Sequence, residues 1–149
     1  MRITTKGRYA LRAVLQLSQQ AKNSPVSIRT LSEIEDISAE FLEQIFFRLR
    51  KAGLIKSTRG PGGGFQLVKP LSEITVADIF QAVGEELHFS PCTLDDGNAC
   101  GREDICSAHG FWDHTYTLFR KYFEQVTLQD IVEGRYPHQV FAEENRVNN

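Results

Sequence analysis

The chain has 149 residues, 41% hydrophobic and 24% charged. That suits one globular unit, or a small unit plus an appendage, and excludes wholesale disorder. No apolar run approaches the roughly 20 residues that a bilayer-crossing helix needs, so no membrane partner is expected. The net charge of −2 conceals two opposed halves. Residues 1–69 hold 12 Lys/Arg against 5 Asp/Glu, a net of +7, and residues 70–149 hold 5 against 14, a net of −9. A basic half joined to an acidic one points the first half at a polyanion. The opening MRITTKGRYALRAVLQL lacks a small-residue cleavage site after its apolar stretch. It reads as mature protein, which implies the cytoplasm.

The elements follow in order. Over residues 6–21, Ala10, Leu11, Ala13, Val14 and Leu17 form one apolar stripe at helical spacing. Asn23-Ser24-Pro25 breaks that helix. Ser27 is an N-cap for a short second helix through Leu31 and Ile34, Glu35-Asp36 makes the turn, and Ile37 points back to the core. Ser38 caps a third helix, with Glu40 in its first turn where the dipole favours an acid. It is expected to bury Phe41, Leu42, Ile45, Phe46 and Leu49 and to stop at Gly53. Strand-like runs at 54–59 and 65–68 flank Gly60-Pro61-Gly62-Gly63-Gly64, which predicts a hairpin. Thr75 and Asp78 carry a capping-box pattern ahead of Ile79, Phe80, Ala82 and Val83. Residues 84–106 have no periodicity. Ala108, Phe111, Trp112, Thr115, Leu118, Phe119, Tyr122, Phe123 and Val126 then repeat at steps of three and four. They predict a helix over about 107–126, ~28 Å long. Thr127 and Asp130 repeat the capping pattern before a last short helix near Gly134, and the polar chain after about His138 is expected to fray.

Helix, short helix, tight turn, helix and Gly-tipped hairpin is the order of a winged helix-turn-helix. The fold class expected is mainly α with a small β-hairpin. The third helix, capped by Ser38, can lay its N-terminal residues in a major groove while Phe41, Ile45, Phe46 and Leu49 anchor it to the core, and Ser38, Glu40 and Phe41 are counted in the DNA-facing set. Glu43 and Gln44 lie away from that anchor; Gln pairs bidentately with adenine, and a carboxylate accepts from cytosine N4. The tip Gly60, Pro61, Gly62 and Gly63 lets backbone N–H groups approach phosphates, and Arg59 at its base is placed for a minor groove. Arg2, Lys6, Arg8 and Arg12 would contact phosphates without regard to sequence, and Arg50 joins the DNA-facing set. On composition alone Glu43 and Gln44 are equally a solvated helix face. The glycines are not a nucleotide-binding loop, because no Lys-Ser or Lys-Thr follows and a strand comes next. No Ser/His/Asp set, paired acids or nucleotide loop points to an enzyme.

A second chemistry lies in Cys92-x7-Cys100-x5-Cys106-x2-His109. An odd number of cysteines argues against a disulfide framework. Cys106 and His109 stand i, i+3 at the expected start of the long helix, which would put both on one face. Gly97 and Gly101 allow Cys92 and Cys100 to fold back to the same point. Three thiolates and an imidazole suit an iron–sulfur cluster or zinc, with bare redox thiols the remaining reading. Asp95, Asp96, Glu103 and Asp104 between the ligands disfavour an RNA-binding finger.

MRITTKGRYALRAV, FLEQIFFRLRKAGLIKSTRGPGGGFQL, the 75–83 helix, the Cys/Cys/Cys/His cluster and TLQDIVEG together resemble the IscR-type iron–sulfur regulators of the Rrf-two family of bacterial transcription factors, over roughly residues 1–134. The resemblance implies a winged-helix homodimer whose long helices cross, binding a pseudo-palindromic duplex. It implies a DNA-binding domain at 1–70, a cluster loop and dimerisation helices at 71–134, and a flexible tail at 135–149. It implies a 2Fe–2S cluster on Cys92, Cys100, Cys106 and His109, with 4Fe–4S or zinc as alternatives, and a Glu43 that discriminates two classes of DNA site. The x7 gap is longer than usual for such proteins. Glu40 and Phe41 stand where they commonly carry Ser and Tyr, which points to a different operator. Arg8 stands where one branch of relatives has an acidic ligand.

Overall fold

The computed structural model describes residues 3–21, 24–87, 90 and 100–137. Helix α1 (Thr5–Gln20) starts where the Thr4 hydroxyl accepts the Gly7 N–H, and it buries Ala10, Ala13, Val14 and Leu17 completely. Helix α2 (Ile28–Glu35) is capped by Ser27, whose hydroxyl accepts from the Thr30 N–H at 3.1 Å. It ends at Asp36 in the left-handed region, φ 52°. A short polar side chain tolerates that conformation, and the reversal it makes drops Ile37 into the core, 3% exposed. Helix α3 (Ala39–Lys51) is capped by Ser38 and carries Glu40 in its first turn and Arg48, Arg50 and Lys51 in its last, both signs matched to the dipole.

Strands β1 (Ile55–Thr58) and β2 (Gly64–Leu67) pair antiparallel, Ile55 opposite Leu67 and Thr58 opposite Gly64. Val26 and Phe65 exchange both backbone hydrogen bonds, at 3.0 and 2.8 Å, so the chain ahead of α2 adds a third rung. Helix α4 (Val76–Val83) opens with a complete Thr75/Asp78 capping box. Helix α5 (His109–Gln125) runs into α6 (Leu128–Glu133), which opens with a complete Thr127/Asp130 box. Val76 N–H donates to Val126 O and Leu128 N–H to Ile74 O, locking the end of α5 to the start of α4.

Phe46 is wholly buried and meets Phe65 edge-on at 5.0 Å, so the third helix and the hairpin share one core. Phe80 meets Phe123 at 5.5 Å, which joins α4 to α5. The mainly helical fold with one hairpin matches the sequence expectation. Three details differ. Phe41 is only half-buried: it packs against the edge of the core and meets Tyr9 of α1 edge-on at 5.8 Å. The strands are shorter than the runs at 54–59 and 65–68, although Val68 N–H still reaches Leu54 O at 3.1 Å. The long helix begins at His109, not near 107, since Ala108 at its N-cap has no side chain to accept the first orphan N–H groups. None of its 17 residues is buried, and Phe111 is 63% exposed. The expected frayed tail past His138 lies outside the described residues.

Candidate nucleic-acid interface and metal donors

The outer face of α3 is built by helical spacing. Glu40, Glu43, Gln44, Phe47 and Lys51 line one wall of an open groove of about 1060 Å³, and α4 supplies the opposite wall with Asp78 and Gln81. Glu43 and Gln44 are exposed, as a base-reading pair requires. The Ser38 oxygen accepts the Phe41 N–H at 3.3 Å, which leaves its own O–H proton available to a phosphate. Phe47 was not foreseen as part of this face. It is 60% exposed with the Arg50 guanidinium 6.0 Å above its ring, and Arg50 also donates to the Ser57 hydroxyl at 3.3 Å. Arg50 is therefore held between the reading helix and the hairpin.

At the wing, Arg59 is exposed. Gly60 and Gly62 take φ of 96° and 72°, and Gly63 N–H closes the turn on Gly60 O at 2.9 Å. A methyl group on Gly63 would lie 2.3 Å from the Thr58 carbonyl oxygen, and one on Gly64 would lie 2.4 Å from the Val26 backbone. Pro61 is left as the tip's one side chain.

On α1 the basic residues divide. Arg8 is exposed. Lys6 donates to the Gly84 carbonyl at 3.2 Å, so it is partly engaged within the fold. Arg12 corrects the expectation of a phosphate contact. It pairs with the Glu35 carboxylate at 2.9 Å, donates to the Glu35 carbonyl at 2.7 Å and lies over the Tyr9 ring. It ties α1 to the last residue of α2. Arg2 lies outside the described residues. Glu85 was also missed by sequence reasoning. It is a buried carboxylate at the end of α4 that receives the Thr4 backbone N–H at 2.7 Å and the Thr4 hydroxyl. The one sequence signal was Gly7, a glycine inside an otherwise strong helical pattern.

The metal donors are less gathered. Cys106 precedes α5, in extended backbone after the short 3-10 turn Glu103–Ile105. It is thus not on the helix face assumed from the i, i+3 spacing; a turn joins it to His109, whose N–H donates to Cys106 O at 3.1 Å. Cys106 is exposed and Cys100 half-buried. Among the described residues no three His, Cys, Asp or Glu side chains converge on a metal-sized point, and Cys92 lies outside them. His109 Nδ1, however, is buried with no hydrogen-bond partner among the described residues. Such a nitrogen suits a metal ligand, so the donor chemistry fits a thiolate-and-imidazole centre.

Residues 3–134 match the Rrf2 family, described as iron-dependent transcriptional regulators. The chain is 41% identical over 135 residues to a candidate HTH-type transcriptional regulator of Haemophilus influenzae, covering 91% of this chain and 89% of that one. It is 38% identical over 135 residues to the HTH-type transcriptional regulator IscR of Photorhabdus laumondii, covering 91% and 81%. The solved structure of T. potens IscR aligns with a TM-score of 0.72 at 28% identity, over 90% of this chain and 88% of that one. A reading helix and wing sharing one core, and relatives of this kind along nearly the whole described length, lead to one conclusion: the chain belongs to the Rrf2 family, the winged-helix, DNA-binding transcriptional regulators.

Proposed function

We propose that this regulator grips a pseudo-palindromic duplex as a homodimer in the cytoplasm, and that a 2Fe–2S cluster on Cys92, Cys100, Cys106 and His109 modulates the grip. His109 Nδ1, buried and without a hydrogen-bond partner among the described residues, carries the cluster half of the reading. When bound, such a cluster supplies a reversible, redox-active cross-link between the 92–106 segment and the start of α5. The chain's own residues do the rest. Glu43 and Gln44 read base edges, with Glu40 and Phe41 flanking them, and Ser38, Lys6, Arg8, Arg50 and Arg2 hold phosphates. Arg59 and the backbone of Gly60, Pro61, Gly62 and Gly63 meet the neighbouring groove. The open aromatic face of α5, with Phe111 and Trp112 exposed, supports pairing with a second copy. Two-fold symmetry then sets half-sites about one helical turn apart.

The test is anaerobic purification with iron, sulfide and zinc counted per chain, beside operator binding of the loaded and metal-free forms. A brown protein with two irons and two sulfides per chain, losing its absorption in His109→Ala, is the expected result. Four of each would mean a 4Fe–4S centre. A colourless zinc protein, or identical operator binding with and without iron, overturns the sensing role.

A further inference from the structure

Glu85 is a buried acid, 7% exposed, in the seam between α1 and α4. It follows Gly84, which ends α4 at φ 66°, and its own N–H donates to Phe80 O at 2.8 Å, so its backbone is fixed. Its carboxylate oxygens receive both donors of Thr4, and the Thr4 hydroxyl oxygen accepts the Gly7 N–H. The carboxylate is therefore a second tier of the α1 N-cap, where the helix dipole and charge-assisted hydrogen bonds both favour it. Steric room confirms the docking: a methyl group on Gly7 would come within 2.7 Å of Glu85 Oε2. A second tie runs beside it, from Lys6 Nζ to Gly84 O. Both ties join the basic N-terminal turn of α1 to the point where the chain leaves α4, seven residues ahead of Cys92.

We propose that Glu85 is a positioning residue that carries the state of the cysteine segment to the N-terminal turn of α1, and so to Lys6 and Arg8 on the duplex. The inference rests on the cluster-dependent reading above. The physical basis is that a switch needs an interaction whose strength differs between two states. The Glu85–Thr4 pair sits where the chain leaves α4 in the direction of Cys92. Tension or release beyond Glu85 changes how squarely the carboxylate meets Thr4, and with it the seating of the α1 N-terminus.

The test uses the full-length chain, loaded anaerobically or stripped of metal, with a duplex selected by the wild-type protein from a random-sequence library. The quantity read is the ratio of operator Kd between the two forms. Wild type should differ several-fold between forms, Glu85→Ala should bring the ratio within about twofold of one, and Glu85→Gln, which keeps one acceptor oxygen, should fall between. The visible spectrum of the loaded variants should match wild type, since Glu85 is no ligand. Amide exchange over residues 4–10 of the metal-free chain should quicken in Glu85→Ala. A folded Glu85→Ala or Glu85→Gln that keeps the wild-type ratio overturns the proposal while leaving the cluster reading intact. A wild-type ratio of one brings down the cluster reading, and this inference with it. Should Glu85→Ala fail to fold, Glu85→Gln decides.

Discussion

At Gly7 the usual sign of a helix substitution reverses. Alanine in a helix interior ordinarily gains about 1 kcal/mol over glycine. Here the added methyl group would push on Glu85 Cδ at 2.8 Å as well as on its oxygen. Gly7→Ala should therefore cost about 1–3 kcal/mol, by analogy with overpacked cores. In a Glu85→Ala background the same change should stabilise, and urea midpoints of the four variants in the cycle check the coupling. Arg59 supplies a second residue-scale prediction. Arg59→Ala should weaken operator binding and reduce the slope of log affinity against log salt by about one. Unchanged affinity and slope would remove Arg59 from the interface. What sequence revealed at this scale was whatever is local. Ser27, Ser38, Thr75 and Thr127 announce their helices because a cap bonds two or three residues away. Glu85 and Thr4 are 81 positions apart and Arg12 and Glu35 are 23 apart, and neither pairing leaves a periodic trace.

Among the elements, α6 depends on its first turn, since only Leu128 of its residues is buried. The hydrogen bond from the Thr127 side chain holds the Asp130 carboxyl below the usual carboxylate range, and the Thr127 backbone N–H adds to the effect. A carboxyl lowered in the folded state stabilises above its unfolded pKa, and that contribution is lost as pH falls through the folded value. The thermal midpoint of wild type should thus drop as pH falls through and below the ordinary carboxylate range. Thr127→Val should show a shallower drop over that window and a lower midpoint at neutrality, consistent with a lost cap of about 1 kcal/mol. The helix order, the hairpin and both capping boxes were legible for this local reason. The start of α5 was not, because periodicity marks which face a helix buries and says little about where an uncapped end unwinds. The supposed one-face placement of Cys106 and His109 failed with it, since Cys106 sits in extended backbone before the helix.

For the molecule as a whole, the proposed homodimer would form through the open face of α5. Phe111→Glu would place a charge on an aromatic surface that stands 63% exposed in the single chain. Sedimentation at micromolar concentration should show this variant as a monomer and wild type as a dimer. Affinity for a two-half-site duplex should fall more than affinity for one half-site, because the second contact is no longer intramolecular. A dimeric Phe111→Glu chain would exclude α5 as the contact. The amphipathic repeat of α5 was plain in the sequence, whereas the exposure of its apolar side in the single chain was not, because periodicity marks a face without saying what covers it.

The hairpin tip has one more consequence. Gly60, Gly62 and Gly64 take positive φ, and Gly63 and Gly64 have no room for a side chain, so the loop is barred from displaying anything but amide groups and the Pro61 ring. Amides see the same phosphodiester whatever the bases are. The tip can therefore raise affinity without supplying an address. On the proposed interface, divergence toward new operators would run through α3 and Arg59, and directed-evolution libraries that randomise residues 60–64 would sample broken folds more often than altered targets.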